Sequence, residues 1–149
     1  MALIEGKVVI RRSVDEVFDF VADERNEPRY NPRMVLAEKI SPGPVGVGTR
    51  FRVVTRSMWR TAEMTIEFTA YERPRLLAVS AHLSTMEIEG RLTFDPVPEG
   101  TRMTWSWDLE PSGVLKLLGG PIVARNGERQ EQTIWTNLKH LLEERNLGS

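Results

Sequence analysis

The sequence contains no cysteine in its 149 residues, and this absence excludes several kinds of chemistry. Disulfide bonds, thiolate catalysis and metal sites built from cysteine are all ruled out. Only two histidines occur, His82 and His140, and they lie far apart in the chain. A histidine-based metal site therefore has little support. We predict neither a metal nor any other cofactor.

No charge of one sign dominates, because 20 Lys and Arg residues balance 21 Asp and Glu residues and the formal net charge is -1. A nucleic-acid partner is therefore not expected. No run approaches the ~20 apolar residues of a membrane-spanning helix, and no apolar stretch of signal-peptide length opens the chain. These absences predict a cytoplasmic protein without stable membrane insertion.

The length predicts a single domain over residues 1–149. Hydrophobic residues make up 40% and charged residues 28%, which is ordinary for a globular protein. A chain of this size can bury roughly 68–70% of its unfolded surface. A hydrophobic core can therefore form without covalent or metal cross-links.

The chain opens with one amphipathic strand and one capped helix. Two sets of residues alternate over residues 4–11, with Ile4, Gly6, Val8 and Ile10 on one face and Glu5, Lys7 and Val9 on the other, which predicts a half-buried strand. Ser13 to Glu16 form a capping box, in which each of the two side chains can bond a free backbone N–H. The helix that follows carries one apolar face and stops before Pro28. A short helical turn is all that fits between Asn26 and Pro32.

Six further strand-like runs follow, and the turn residues between them are typical of an antiparallel meander. The predicted strands are residues 34–40, 49–55, 61–71, 75–82, 85–95 and 101–110. Alternation assigns an apolar set to their inward faces and a charged set to their outward faces. The inward set is Phe51, Val53, Thr55, Met64, Ile66, Phe68, Leu77, Val79, Ala81, Met86, Ile88, Leu92, Phe94, Met103, Trp105, Trp107 and Leu109.

A long helix is predicted from about Pro121 to Arg145, with Ile134, Leu138 and Leu142 at helical spacing. It is the only element long enough to cover the apolar face of the sheet. The predicted fold class is therefore α+β: a curved antiparallel sheet of about seven strands around a long C-terminal helix, with two short helices. The side chains on the inward face of the N-terminal half of the long helix are small or polar, so we expect a cavity beside it.

Several local sequence motifs lie along these predicted elements. They are residues 9–23 (VIRRSVDEVFDFVAD), Tyr30-Asn31-Pro32, the Gly46-to-Thr49 step into a strand, and residues 137–143 (NLKHLLE). With them the chain resembles the START-like (SRPBCC) superfamily, and within it the polyketide cyclase/dehydrase and lipid-transport group. Such proteins usually carry Trp where this chain has Tyr30. The resemblance implies a helix-grip fold with a deep apolar cavity, and it transfers no active-site residue.

Methionine and aromatic side chains dominate the face expected to line this cavity, and they make adaptable walls for apolar ligands. The alternative for each of them is simple packing in the core. The predicted ligand-binding residues are Met64, Ile66, Met86, Ile88, Met103, Trp105, Trp107, Gly127 and Glu131.

Two residues are candidates for proton transfer. Glu131 falls on the inward face of the last helix, where it could orient a ligand hydroxyl or act as a base if desolvation raised its pKa. The alternative is a surface carboxylate paired with Arg125 or Arg129. His82 ends a strand near the expected cavity mouth, and a general-base role is the second hypothesis. Neither residue has an identifiable nucleophile beside it.

Three functions stay open. The first is binding, with or without transport, of a hydrophobic small molecule such as a lipid, isoprenoid quinone or polyketide-like compound. The second is a polyketide aromatase/cyclase or dehydratase that uses the same cavity, and the third is a protein-interaction module. We favour the first, because the sequence shows no convincing polar constellation. Loops at residues 43–48 and 113–119 are expected to flank the mouth, and a monomer and a homodimer are equally compatible with the sequence.

Overall fold

A computed structural model describes residues 2–57, 60–83, 86–111 and 120–144. Within these residues the chain forms seven strands, two α-helices and one 3₁₀ helix. They are, in chain order, β1 (Ala2–Ile10), α1 (Val14–Val21), the 3₁₀ helix (Glu24–Arg29), β2 (Met34–Lys39), β3 (Arg50–Ser57), β4 (Arg60–Glu72), β5 (Leu76–His82), β6 (Met86–Val97), β7 (Gly100–Pro111) and α2 (Gly120–Glu144).

The seven strands form one antiparallel sheet in the order β1-β7-β6-β5-β4-β3-β2. Strands β2 to β7 are neighbours in sequence as well as in space, which confirms the predicted meander. The first strand joins the last, so that Ile4 pairs with Trp107 and Val8 with Met103. The α+β architecture of a sheet with a long C-terminal helix is confirmed.

Helix α1 closes one end of the sheet. Its N-cap is the predicted one, because the Ser13 hydroxyl accepts a hydrogen bond from the Glu16 backbone N–H at 3.3 Å. The helix buries Phe18, whose ring lies edge-on to Phe94 at 5.1 Å and to Tyr71 at 5.2 Å. Aromatic packing of this kind fixes the helix on the strands that it covers.

Helix α2 covers the inner face of the sheet. Its buried side chains include Ile134, Leu138 and Leu142, as the helical spacing predicted. Close contact with β1 depends on Gly127, because a Cβ at that position would lie 2.1 Å from the Ile4 Cδ1 atom. A side chain at position 127 would therefore require the end of the Ile4 side chain to move. No helix in the described ranges is long and apolar enough to span a membrane.

Burial of the inner face changes along the strands. At the end covered by α1, Phe94 and Met103 are fully enclosed. At the other end Met64, Ile88 and Trp107 also point inward but keep part of their surface exposed. The inner face is thus sealed at one end and incompletely covered at the other.

Candidate functional site

Glu131 is the polar centre of the inner face. It lies on α2 and is largely buried, and the Trp135 indole N–H donates a hydrogen bond to its Oε1 atom at 3.2 Å. From the sheet, the Trp107 N–H lies close enough to lower the pKa of the Glu131 carboxyl, but it falls short of hydrogen-bond geometry. The carboxylate therefore lies between one indole of the helix and one of the sheet.

The protonation of Glu131 is set by this position. Loss of hydration raises its pKa to about 7, repulsion by Glu27 acts in the same direction, and the N–H groups of Trp135 and Trp107 oppose both. A carboxyl with this pKa exchanges its proton near neutral pH. Glu131 can consequently either donate or accept a hydrogen bond from a bound molecule, and it is suited to acid–base chemistry.

Two more carboxylates come from the 3₁₀ helix. Glu24 is only 9% exposed, and its Oε2 atom has no hydrogen-bond partner among the described residues. Desolvation, followed by repulsion from Glu27, raises the pKa of Glu24 well above its ordinary value. Glu27 itself accepts a hydrogen bond from the Asn31 amide at 2.7 Å. We call Glu24, Glu27 and Glu131 the acidic cluster, because the charges of Glu27 and Glu131 raise the pKa of Glu24 and the charge of Glu27 raises that of Glu131.

Four aromatic rings adjoin the acidic cluster. The Tyr30 ring centroid lies 6.0 Å from that of Phe20 and 5.7 Å from that of Trp135, which in turn lies 6.0 Å from Trp105. We call these four rings the aromatic row. Trp105 is 1% exposed, and its Nε1 atom lacks a hydrogen-bond partner within the described part of the chain. An orphaned buried N–H is costly, so it marks a place where a polar atom would be favourable.

Local sequence explains how these groups meet. Glu131 and Trp135 are one helical turn apart, so their side chains share a face of α2. The Asn137 amide donates to the Tyr30 carbonyl at 3.1 Å and joins α2 to the end of the 3₁₀ helix. Across the sheet, the Trp107 ring lies over Gly90, where a Cβ would come within 1.9 Å of it.

The predicted ligand-binding residues all belong to the inner face or to α2. The structure brings Trp107 beside Glu131. Ile88 lies on the neighbouring strand, two residues from Gly90, which is the register partner of Trp107. Met103 and Ile66 lie deeper, in the core. Contact of these side chains with a ligand stays a prediction. The set is Met64, Ile66, Met86, Ile88, Met103, Trp105, Trp107, Gly127 and Glu131.

His82 lies apart from this site. Its neighbour Ala81 is buried, whereas the His82 side chain is exposed and lies 3.4 Å from the Glu87 carboxylate on the outer face. Ser80 Oγ is 3.4 Å from His82 Nε2, but the hydroxyl donates instead to Glu89 at 2.9 Å. Strand alternation separates His82 from Glu131, and we propose no role for it in the inner site.

Four residues near the site are not predicted by the sequence patterns: Glu24, Glu27, Tyr30 and Trp135. Trp135 could have been found from its spacing to Glu131, four residues earlier on the same helix. The two glutamates lie in a short proline-containing segment. Its 3₁₀ helix places side chains three residues apart on one face, but charged residues in such a segment give no indication that this face is buried. The loop at residues 43–48 forms bends and turns beside β3, and the predicted lid at residues 113–119 lies outside the described residues.

The described residues contain no group of three His, Asp or Glu side chains that could hold a metal ion. The polar groups gathered at the site are carboxyl, indole and phenol. Those groups can bind a ligand or move a proton.

Solved structures with a similar fold come from several bacteria. A START superfamily protein from Mycobacterium smegmatis has a TM-score of 0.82 at 13% identity, with 97% of this chain and 99% of that chain covered. A protein from Geobacillus kaustophilus has a TM-score of 0.78 at 14% identity over 95% of each chain. A protein from Thermus thermophilus has a TM-score of 0.76 at 16% identity, covering 93% of this chain and 94% of that chain. At these identities the likeness shows the fold alone.

The curated proteins include no sequence that matches this one. The family model described as "Polyketide cyclase / dehydrase and lipid transport" matches residues 1–143, which is nearly the whole chain. The START-like fold and this match agree with each other and with the helix-grip arrangement of sheet and α2. The chain belongs to the polyketide cyclase/dehydrase and lipid-transport family.

Proposed function

We propose that this protein binds a hydrophobic small molecule between the inner face of the sheet and α2, with the polar end of the ligand at Glu131. The observation that carries the proposal is the buried Glu131 carboxyl beside Trp107 and Trp135, next to an apolar face that is not fully covered. Burial of apolar ligand surface would supply affinity at roughly 25 cal/mol per Å². Glu131 would fix the orientation of the ligand. Lipids, isoprenoid quinones and polyketide-like compounds all have this combination of a large apolar body and a few polar atoms.

The direct test is a fluorescence titration with the uncharged apolar probe N-phenyl-1-naphthylamine. We expect saturable binding with one probe per chain. The inward-facing Ile88 is the position to change, because it lies at the incompletely covered end. Ile88→Trp fills space and Ile88→Lys adds a charge, so each should weaken probe binding by about tenfold or more.

Glu87→Lys is the matched control, since Glu87 is exposed on the opposite face of the same strand. It should bind the probe as the unchanged protein does. Circular dichroism must show that every variant is folded. Absence of probe binding, or binding that both Ile88 variants leave intact while they remain folded, would contradict the proposal.

A second candidate function is an enzyme of the cyclase or dehydratase type. The pKa of about 7 at Glu131 favours it, because a buried carboxyl of this kind can take a proton from carbon and return it to a leaving hydroxyl. The test follows enone formation from apolar β-hydroxyketones by ultraviolet absorbance. Glu131→Gln should abolish turnover and leave probe affinity unchanged if the enzyme hypothesis is right. If the unchanged protein shows no turnover, the enzyme hypothesis is wrong and ligand binding is the function that remains.

A further inference from the structure

A groove of about 440 Å³ lies on the outer face of the sheet, opposite the inner site. Strand alternation places it there, because Ser106 and Asp108 line it, whereas Trp105 and Trp107 of the same strand pack into the core. Sites for small molecules typically have volumes of about 300–1,000 Å³, so the groove is large enough for one. We call it the outer groove, and its most polar side chains are Glu89, Arg91, Ser106 and Asp108.

Two carboxylates stand side by side in the lining of the outer groove. Asp108 on β7 is the direct register partner of Glu89 on β6. Like charges that lie directly opposite each other across two strands repel. Ser80 donates a hydrogen bond to Glu89 at 2.9 Å, but Asp108 Oδ1 is buried and has no hydrogen-bond partner among the described residues. A positively charged N–H donor would supply both the missing hydrogen bond and the missing charge.

Arg91 carries the single positive charge in the lining of the outer groove. It lies two residues from Glu89 on the same face of β6 and directly opposite Ser106 on β7. Despite this position, Arg91 forms no ion pair and no hydrogen bond within the part of the chain that the structure describes. A guanidinium group can bind a carboxylate through two parallel hydrogen bonds. The outer groove therefore offers a place for a negative group close to the place for a positive one.

Apolar surface completes the outer groove. Leu76 and Ala78 on β5 belong to the lining, and so does Leu3 on β1, which is 53% exposed. Leu3 is the register partner of Asp108, so apolar surface adjoins the two carboxylates directly. An apolar group bound here would remove leucine surface from water. The outer groove thus combines groups of both charges with an apolar wall.

We propose that the outer groove binds a small zwitterion with an apolar side chain, a ligand of the α-amino acid class. Its ammonium group donates to Asp108 and Glu89, and its carboxylate accepts from Arg91. A ligand with only one of the two charges leaves either the guanidinium or the carboxylate pair without a partner, so it binds more weakly. The sheet separates this groove from Glu131, and the inference does not rest on the proposed function.

The test is a titration of nitrogen-15-labelled protein, followed through the NMR shifts of its backbone amides. Three ligands share one alkyl group: L-leucine, 3-methylbutylamine, which lacks the carboxylate, and 4-methylpentanoate, which lacks the ammonium group. At about pH 7 the ammonium and carboxylate groups are charged. L-Leucine should shift the amides of residues 89, 91, 106 and 108 saturably, with a Kd at least about tenfold lower than that of either analogue.

Three variants assign the two charges of the ligand. Asp108→Asn keeps the shape of the side chain and should weaken L-leucine binding by about tenfold. Arg91→Gln should raise the Kd of L-leucine to that of 3-methylbutylamine and leave the Kd of the amine unchanged. Arg102→Gln is the matched control, because Arg102 is exposed on the same face of β7 and lies outside the outer groove. It should bind L-leucine as the unchanged protein does.

Several results would overturn the proposal. One is an L-leucine affinity no higher than that of either analogue, and another is an affinity that Asp108→Asn and Arg91→Gln both retain while their spectra show folded proteins. L-Leucine that shifts none of the amides of the outer groove up to its solubility limit would also overturn it. Shifts confined to the inner face, at Trp105 and Trp135, would place the amino acid elsewhere and contradict it equally.

Discussion

The indole of Trp135 donates a hydrogen bond of 3.2 Å to the carboxylate of Glu131, one helical turn earlier on α2. Both residues lie on the side of the helix that faces the sheet, and Trp135 is almost wholly buried. The pair couples the core to the candidate site, because one partner packs against Tyr30 and Trp105 while the other carries a titratable proton.

The stability of the protein should fall as the pH rises through the titration range of Glu131. Its folded pKa of about 7 lies above the ordinary value of 4.5, so the folded state binds more protons than the unfolded state between them. The stabilising contribution is complete below the unfolded pKa and is lost as the pH approaches the folded pKa. Converted into free energy, the difference between the folded and unfolded pKa of Glu131 corresponds to a loss of stability of about 3 kcal/mol at most. Glu131→Gln should therefore be more stable than the unchanged protein at about pH 8.

Urea unfolding between about pH 5 and about pH 8 measures this effect. Glu131→Gln should show a shallower dependence on pH, with Glu24 contributing what remains. The exposed Glu128→Gln should keep the full dependence. A pH dependence that Glu131→Gln leaves unchanged would contradict the assignment of a raised pKa to Glu131.

Replacing Trp135 with Phe should raise the pKa of Glu131 above its present value. The change removes the N–H that favours the charged carboxylate and keeps an aromatic ring in the core. Carbon-13 NMR of the Glu131 carboxyl gives the pKa directly. Trp107→Phe is the comparison, and we expect a smaller effect because that N–H does not form a complete hydrogen bond. An unchanged Glu131 titration in Trp135→Phe would show that the hydrogen bond is not maintained in solution.

Replacing Gly127 with Ala should destabilise the protein, although alanine is the better helix former. The new Cβ would lie 2.1 Å from Ile4 Cδ1, and overpacking of this kind typically costs about 1–3 kcal/mol. The higher helix propensity of alanine offsets about 1 kcal/mol of that cost. In an Ile4→Ala background the same substitution should be neutral or stabilising, and thermal unfolding of the four proteins gives the coupling energy. A Gly127→Ala protein more stable than its parent would contradict the contact between α2 and β1.

Replacing Ser13 with Ala should cost about 1 kcal/mol, because the Glu16 backbone N–H loses its acceptor at the start of α1. Ser13→Asp retains an acceptor and should restore stability. Urea unfolding of the two variants separates the cap from other effects of the position. Equal stabilities for Ala and Asp would mean that the cap contributes nothing.

The fold was predictable because each element carries its own local signal. The capping box at Ser13, the alternation in the strands and the spacing of Leu138 and Leu142 each specify one element, and the elements have few ways to pack. The position of Glu131 on the inner face also followed from helical spacing.

The acidic cluster was not predictable in the same way. Glu24 and Glu27 belong to a 3₁₀ helix interrupted by Pro28, where a charged residue gives no indication of burial. Their approach to Glu131 depends on how the 3₁₀ helix packs against α2, which lies at the far end of the chain. Sequence patterns describe single elements, whereas this cluster arises from the contact between two of them.

The most direct measurement of the central claim is native mass spectrometry of the gently purified protein, followed by organic extraction of anything bound. The account predicts a stoichiometric apolar compound in the unchanged protein and a reduced amount in Ile88→Trp. A protein that carries no compound, and that also fails to bind N-phenyl-1-naphthylamine at one molecule per chain, would contradict it.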